Sequence, residues 1–171
     1  HGAETARAEM EVNYFGTLAM IRAFAPVLKK NGGGTVVNML SITATMNLPF
    51  MASLSASKAA ALSLTQAARA ELKAQGTRVV AVLPGAVDTD MTRVYEGDKM
   101  RPEEVAAAIV EGLATGAEEI LPGTMASGVR TGLALDPKGT ERIMAGFLPE
   151  PRKRITDQSK KRRAEKAAKK A

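Results

Sequence analysis

Two short apolar runs constrain this chain more than any other feature: residues 35–40 (Thr-Val-Val-Asn-Met-Leu) and 78–83 (Arg-Val-Val-Ala-Val-Leu). Each follows a long helical pattern and a glycine stop, Asn31-Gly32-Gly33-Gly34 before the first and Gln75-Gly76 before the second. Runs of this length, rich in β-branched residues and bounded by turn signals, read as short buried strands. Between them the spacing predicts a helix over 52–74, rich in Ala and Ser, with small residues at 53, 55, 56, 57, 59, 60 and 61 that allow another backbone to approach closely. Before the first strand, residues 5–30 carry two apolar stripes at helical spacing. One is Met10, Tyr14, Leu18, Ile21, Phe24 and Leu28, and the other is Val12, Phe15, Ala19, Ala23 and Val27. A helix apolar on two sides must be covered on two sides. Pro26 is expected to bend or loosen its last turns.

Beyond the second strand, Pro84-Gly85 opens a polar loop to about residue 100. Pro102-Glu-Glu then starts a helix to about residue 113, with proline in the first turn and acids near its positive end. Residues 119–121 read as a last short strand and 138–147 as a weak helix. Strands alternating with helices through short connections make an α/β fold, a parallel sheet covered on both faces.

Composition removes several kinds of chemistry. With no cysteine and a single histidine, His1, the chain has no thiolate site, no cysteine nucleophile, no histidine triad and no multi-histidine metal site. No apolar run approaches the roughly 18 residues needed to cross a bilayer and no signal peptide is visible, so a cytoplasmic protein is expected. The chain begins with His rather than Met, as a processed or truncated product would. Its net charge of +6 is unevenly placed: ten of the 24 Lys/Arg and two of the 18 Asp/Glu fall at 152–171, so that tail carries +8 and the body −2. The body is therefore not a basic nucleic-acid-binding domain.

Three features converge at one place. Ligands of open α/β sheets bind outside the carboxyl ends of the strands. Ser41 directly follows the first strand, Pro84-Gly85-Ala-Val-Asp-Thr leaves the second at the same edge, and Lys58 lies early in the helix connecting them. Singly, these would be a turn cap, a turn and a solvated lysine.

From about residue 10 to residue 122 the chain resembles the second half of a short-chain dehydrogenase/reductase. Val-Asn13-Tyr-Phe-Gly matches the family's asparagine motif, and Ser41 follows 28 residues later in the position of its serine. Leu54-Ser-Ala-Ser-Lys58 matches the Tyr-x-x-x-Lys region thirteen residues after Ser41, and Pro84 to Thr89 reproduces Pro-Gly-x-Val-x-Thr. Two departures stand out. Leu54 occupies the position of the family's tyrosine, whose phenol exchanges a proton with the substrate oxygen. The family's glycine-rich phosphate turn has no counterpart either, because the cluster Gly32 to Gly34 precedes a strand and fits a helix-to-strand turn.

The resemblance implies a partial Rossmann-type, doubly wound parallel sheet of about three strands with flanking helices, and NAD or NADP as cofactor. The implied reaction is hydride transfer between the nicotinamide and a small carbonyl or alcohol substrate, impaired in this chain by Leu54 and by the missing N-terminal half. Ser41 would polarise the substrate oxygen, Lys58 would hold the nicotinamide ribose, and Asn13 would position a water through the helix backbone. Val87 and Thr89 would meet the carboxamide, with Pro84 and Gly85 shaping the turn beneath the ring. The loop 90–100 corresponds to the region that closes over substrate. Tyr14, on a helix stripe, is expected to pack rather than react, and Tyr95 lies in that loop. The family also pairs the helices 5–30 and 52–74 across a two-fold axis, so a homo-oligomer is expected.

Residues 1–150 are thus expected to form one domain, and 151–171 a basic tail that is disordered or a solvated helix, since it has no aromatic residue and Ile155 as its single large apolar one. Two other readings remain open: a non-catalytic relative serving as a binding or subunit-association module, and an adaptor whose tail binds nucleic acid or anionic membrane.

Overall fold

The computed structural model describes residues 2–147. The basic tail and its expected disorder lie outside the described residues. The N-terminal helical segment consists of α1 (Ala3–Met10), a π-helical turn (Glu11–Gly16) and α2 (Thr17–Lys30), with Pro26 inside α2 rather than ending it. Then follow β1 (Gly34–Met39), α3 (Ala52–Leu72), β2 (Thr77–Val82), α4 (Pro102–Ala114), β3 (Glu119–Ile120), α5 (Gly123–Leu135) and α6 (Pro137–Ala145).

The sheet is parallel, in the order β1-β2-β3. Its register runs from Gly34 opposite Thr77 to Met39 opposite Val82, and then Ala81 and Val82 pair with Glu119 and Ile120. The glycine stops set that register. Gly33 (φ 119°) and Gly76 (φ 75°) adopt left-handed backbone, and a Cβ on Gly33 would lie 2.4 Å from the Gly76 carbonyl oxygen. The two helix-to-strand turns therefore touch backbone to backbone, and Gly34 N–H donates to Gly76 O at 3.2 Å.

The alternation of β2 sends its side chains to two cores. Val79 packs with Ile21 and Ala68, while Ala81 and the following Leu83 pack with Ala61, Leu62 and Leu40. On the opposite face Val80 and Val82 pack with Ile120, Ile109 and Leu113, so α4 covers β2 and β3. The expectation of a buried first strand is only half met. Val36, Asn38 and Leu40 face α2 and α3, but Thr35 and Met39 on the other face are exposed because α4 does not reach them. Asn38, the one buried polar residue of β1, donates its amide to Thr65 Oγ1 at 2.9 Å.

Helix α5 is not visible in the sequence pattern. Gly128 and Gly132 lower its intrinsic propensity. Gly132 is nevertheless needed, since a Cβ there would lie 2.7 Å from Thr140 Oγ1 on α6.

Candidate active site

The two main strands remain side by side past their carboxyl ends. Leu40 N–H donates to Val82 O at 2.8 Å and Ile42 N–H to Pro84 O at 2.9 Å. Ser41 and the 84–89 loop therefore leave the sheet together, as the order of elements predicts. Ser41 caps a 3₁₀ turn (Ile42–Ala44) whose three residues are all buried, which fixes it in place. Its Oγ accepts hydrogen bonds from Thr43 N at 3.2 Å and Thr43 Oγ1 at 2.9 Å. A hydroxyl has two lone pairs and one hydrogen, so both acceptor positions are filled and the hydrogen is left to donate outward.

Lys58 reaches across from the second turn of α3, and its Nζ donates to Met39 O at 3.2 Å. Burial pushes the pKa of this half-buried ammonium below its ordinary value. Leu54 lies one helical turn earlier, on the same face as Lys58. Among the described residues no hydrogen bond joins Ser41 to Lys58; the backbone of 39–41 links them.

Asn13 sits inside the π turn, where the helix is locally widened, a feature frequent at functional sites. Its Nδ2 donates to Ser57 Oγ at 2.9 Å, and Ser57 Oγ donates to Leu54 O at 2.8 Å. The side chain thus ties the N-terminal helical segment to the start of α3. The Asn13 carbonyl accepts from Thr17 Oγ1 at 2.8 Å. Tyr14 packs edge-on against Phe15, ring centroids 5.0 Å apart.

In the 84–89 loop, Pro84 is buried and Gly85 lies under α5: a Cβ on Gly85 would be 2.6 Å from Met125 Sδ. Ala86 N–H points at the same sulfur, 3.3 Å away. Val87 is bridged to Met100, with Asp88 N–H donating to Met100 O at 2.8 Å and Met100 N–H to Ala86 O at 3.0 Å. Lys99 adds an ion pair to Asp88 at 3.0 Å. Thr89 caps a 3₁₀ turn (Asp90–Thr92) and Thr92 Oγ1 donates to Val87 O. The two ends of the 90–100 loop are therefore pinned together while its tip projects apolar side chains, Met91 81% and Val94 92% exposed.

A groove of about 620 Å³ runs along the outer edge of β1, lined by Val12, Met20, Phe24 and Leu28 above, the strand's own residues below, and Asn13 and Lys58 at its carboxyl end. Gly32 to Gly34 lie at the opposite end of β1 from Ser41. Among the described residues no group of His, Cys, Asp and Glu has the arrangement of a metal site, and no helix is long and apolar enough to cross a membrane.

Sequence reasoning missed three contributors: Ser57, Thr43 and Met125. Ser57 stood within the run of small residues, which signalled close packing but not a hydrogen bond to Asn13. Met125 depends on α5, and Thr43 on the local turn.

The chain and the fold that carries these residues are similar to known proteins. The family model for short chain dehydrogenases matches residues 2–99. The chain belongs to that family. Over 104 residues it is 40% identical to the short chain dehydrogenase mpl6 of Monascus purpureus, an alignment covering 61% of this chain and 34% of that protein. Among solved structures, a short chain dehydrogenase of Burkholderia cenocepacia in complex with NADP is 50% identical, with a TM-score of 0.81, over 87% of this chain and 62% of that one. A short-chain dehydrogenase of Sphingobium yanoikuyae in complex with NADPH is 26% identical with a TM-score of 0.67, covering 80% and 58%. The chain thus spans about a third of its Monascus relative and under two thirds of these structures.

Proposed function

We propose that the protein is a nicotinamide-dependent oxidoreductase acting on a small carbonyl or alcohol substrate, with NADP as its cofactor. The observation that carries this reading is the joining of Ser41 and Pro84 through Ile42 N–H and Pro84 O at 2.9 Å, with Lys58 anchored on Met39 O beside them. The 50% identical Burkholderia chain, described in complex with NADP, supports the choice of dinucleotide.

The residues present fit the nicotinamide end of that group. Gly85 and Ala86 form a close-packed turn, Val87 and Thr89 lie beyond it, and Lys58 offers an ammonium at the carboxyl end of the groove. No glycine turn at this edge offers a cradle for phosphate among the described residues, since the glycine cluster lies at the other end of β1. When bound, the nicotinamide supplies or accepts the hydride.

The chain's own residues do the rest. Ser41, its lone pairs occupied by Thr43, donates its hydrogen to the substrate oxygen and so favours charge building up there. Lys58 holds ribose hydroxyls. Leu54 has no proton to give, so the proton must come by way of Ser41 or from water, and turnover is expected to be slow. Leu54→Tyr places a phenol one turn from Lys58, whose positive charge lowers the phenol's pKa toward the working range. A positioned general acid contributes about 10²–10⁴-fold.

The test has two parts. NADPH fluorescence titrated against the protein should saturate, and should not with Lys58→Ala. Ketone reduction should rise on Leu54→Tyr, measured in this chain and in this chain fused behind the preceding portion of the Burkholderia relative. Absence of saturable binding in both forms, or equal rates for Leu and Tyr, overturns the reading.

A second reading has its own support: a subunit-association module. Phe15 and Val27 remain 48% exposed on the N-terminal helical segment, and α3 presents Ala52, Ala56, Ala59, Ser63 and Ala67 to solvent. Self-association through these helices predicts dimers at micromolar concentration in sedimentation, and strictly monomeric behaviour would exclude it.

A further inference from the structure

The excess positive charge of this chain and a pair of exposed apolar side chains are neighbours in the sequence. Among residues 152–171, ten are Lys or Arg and two are Asp or Glu, so this stretch carries +8 and the rest of the chain −2. The basic residues include two clusters, Arg152-Lys153-Arg154 and Lys160-Lys161-Arg162-Arg163. Helix α6 comes just before them. It is seated on α5 by the buried Thr140, against Gly132, and its start is capped by Asp136, which accepts from Gly139 N–H at 2.8 Å. Held this way, α6 leaves Ile143 64% exposed and Phe147, four residues on, 56% exposed. The charges of α6 itself cancel, since Lys138 pairs with Glu141 at 2.6 Å and Arg142 lies 3.8 Å from Asp136. Arg152 is five residues beyond Phe147, so even at full extension the first basic cluster begins within about 18 Å of it. The helix follows β3, the strand at the opposite side of the sheet from the open edge of β1.

We propose that α6 and the basic stretch beyond it form a docking surface for an anionic lipid membrane. Ile143 and Phe147 enter the headgroup boundary, and the lysines and arginines of 152–170 meet the lipid charge. Neither signal suffices alone. Two apolar side chains on a nine-residue helix bury too little area to hold a protein on a bilayer, and basic charge alone is screened by salt. Stable attachment takes two signals, and this chain sets them next to each other. A nucleic acid would use the basic clusters but not Ile143 and Phe147, and 152–171 has no aromatic residue on which bases could stack. The same lipid repels the net negative remainder of the chain, so the molecule approaches with its basic end foremost. The attachment is peripheral, since among the described residues no helix is long and apolar enough to cross a membrane. It does not depend on cofactor binding.

The test is co-sedimentation of the full chain with two kinds of vesicle, phosphatidylcholine alone and phosphatidylcholine with one third phosphatidylserine. Binding to the anionic vesicles should exceed binding to the neutral ones by about tenfold or more, and should fall as steeply when salt rises from about 0.1 M to about 0.5 M. Ile143→Ser with Phe147→Ser, its fold checked by circular dichroism, should weaken binding about tenfold, the worth of burying one such side chain. Lys160→Gln, Lys161→Gln, Arg162→Gln and Arg163→Gln together should weaken it about a hundredfold or more. Equal binding to both kinds of vesicle overturns the proposal, as does either variant binding like the parent. Tighter binding to a DNA duplex than to the anionic vesicles, at equal phosphate concentration, overturns it in favour of a nucleic acid. The vesicle comparison and the DNA comparison require no variant to fold.

Discussion

β1 and β2 have nearly the same sequence pattern, lie side by side in register, and end at the same edge, yet among the described residues only β2 has a strand on each side. In β2, five of six residues are buried; in β1, one of six is. The difference does not come from the strands' own residues, since Thr-Val-Val-Asn-Met and Arg-Val-Val-Ala-Val are both apolar and β-branched. It comes from neighbours. β2 has a strand on each side and helices on both faces, whereas among the described residues β1 pairs on one side, is covered on one face, and on the other is packed only at Val37. A central strand of a parallel sheet needs cover on both edges and both faces, and β1 has it on one edge, one face and part of the other.

The largest test of this contrast removes matched side chains at the carboxyl ends of the two strands. Leu83 follows β2 and is fully buried against Leu40, Ala61 and Leu62. Leu83→Ala should cost about 2–5 kcal/mol, because it leaves a cavity that packed neighbours cannot fill. Met39 closes β1 and is 49% exposed. Met39→Ala should change stability by less than about 0.5 kcal/mol, as surface substitutions usually do. Urea denaturation of the two variants gives both numbers. Equal losses would mean that β1 is covered in solution, by another part of the protein or by a second copy.

The next test asks what joins the two strands. Gly33 and Gly32 are neighbours with left-handed backbone, φ 119° and 83°, but the space around them differs. A Cβ at 33 meets the Gly76 carbonyl at 2.4 Å, and one at 32 meets nothing within 4 Å. Gly33→Ala should therefore cost about 2–4 kcal/mol from strain and overlap together. Gly32→Ala should cost about 1–2 kcal/mol, the strain of left-handed backbone alone. If the two variants melt alike, the turns do not touch and the β1–β2 register is set elsewhere.

How much of this was legible in the sequence follows the same division. The α/β class, β1, β2, α3 and α4 were readable because period and punctuation agreed: Gly-Gly-Gly and Gln-Gly stops, strand-length apolar runs, Pro-Glu-Glu at a helix start. The convergence of Ser41, Lys58 and Pro84 was readable because chain order alone sends strand ends to one edge. What was not readable depends on contacts between elements. The exposure of Thr35 and Met39 depends on where α4 ends, which no local pattern states. Helix α5 was hidden because Gly132 trades propensity for the close approach of α6 at Thr140. The tie from Asn13 to Ser57 spans 44 residues, and neither residue's own neighbourhood announces it.

The smallest expected effect concerns Lys58, which sits at the carboxyl end of the open edge. If that edge were simply wet, its ammonium would titrate as it does in the unfolded chain. Burial instead lowers its pKa from the ordinary 10.5, so between the folded value and 10.5 the unfolded chain binds more protons than the folded one. Stability contributed by this group therefore increases as pH rises through that window. Below the folded value the cost of keeping a half-buried charge is present in full; it fades as pH rises toward 10.5 and is gone above it. Lys58→Met removes the titration while keeping an unbranched chain in the groove. The stability advantage of the Met variant over the parent should then be greatest near neutral pH and shrink steadily toward pH 10.5, other groups cancelling in the difference. Urea denaturation of both proteins at four or five pH values measures it. A difference that stays constant across the series would mean that Lys58 is hydrated like the exposed lysines, and that the groove beside β1 is as open as the strand edge itself.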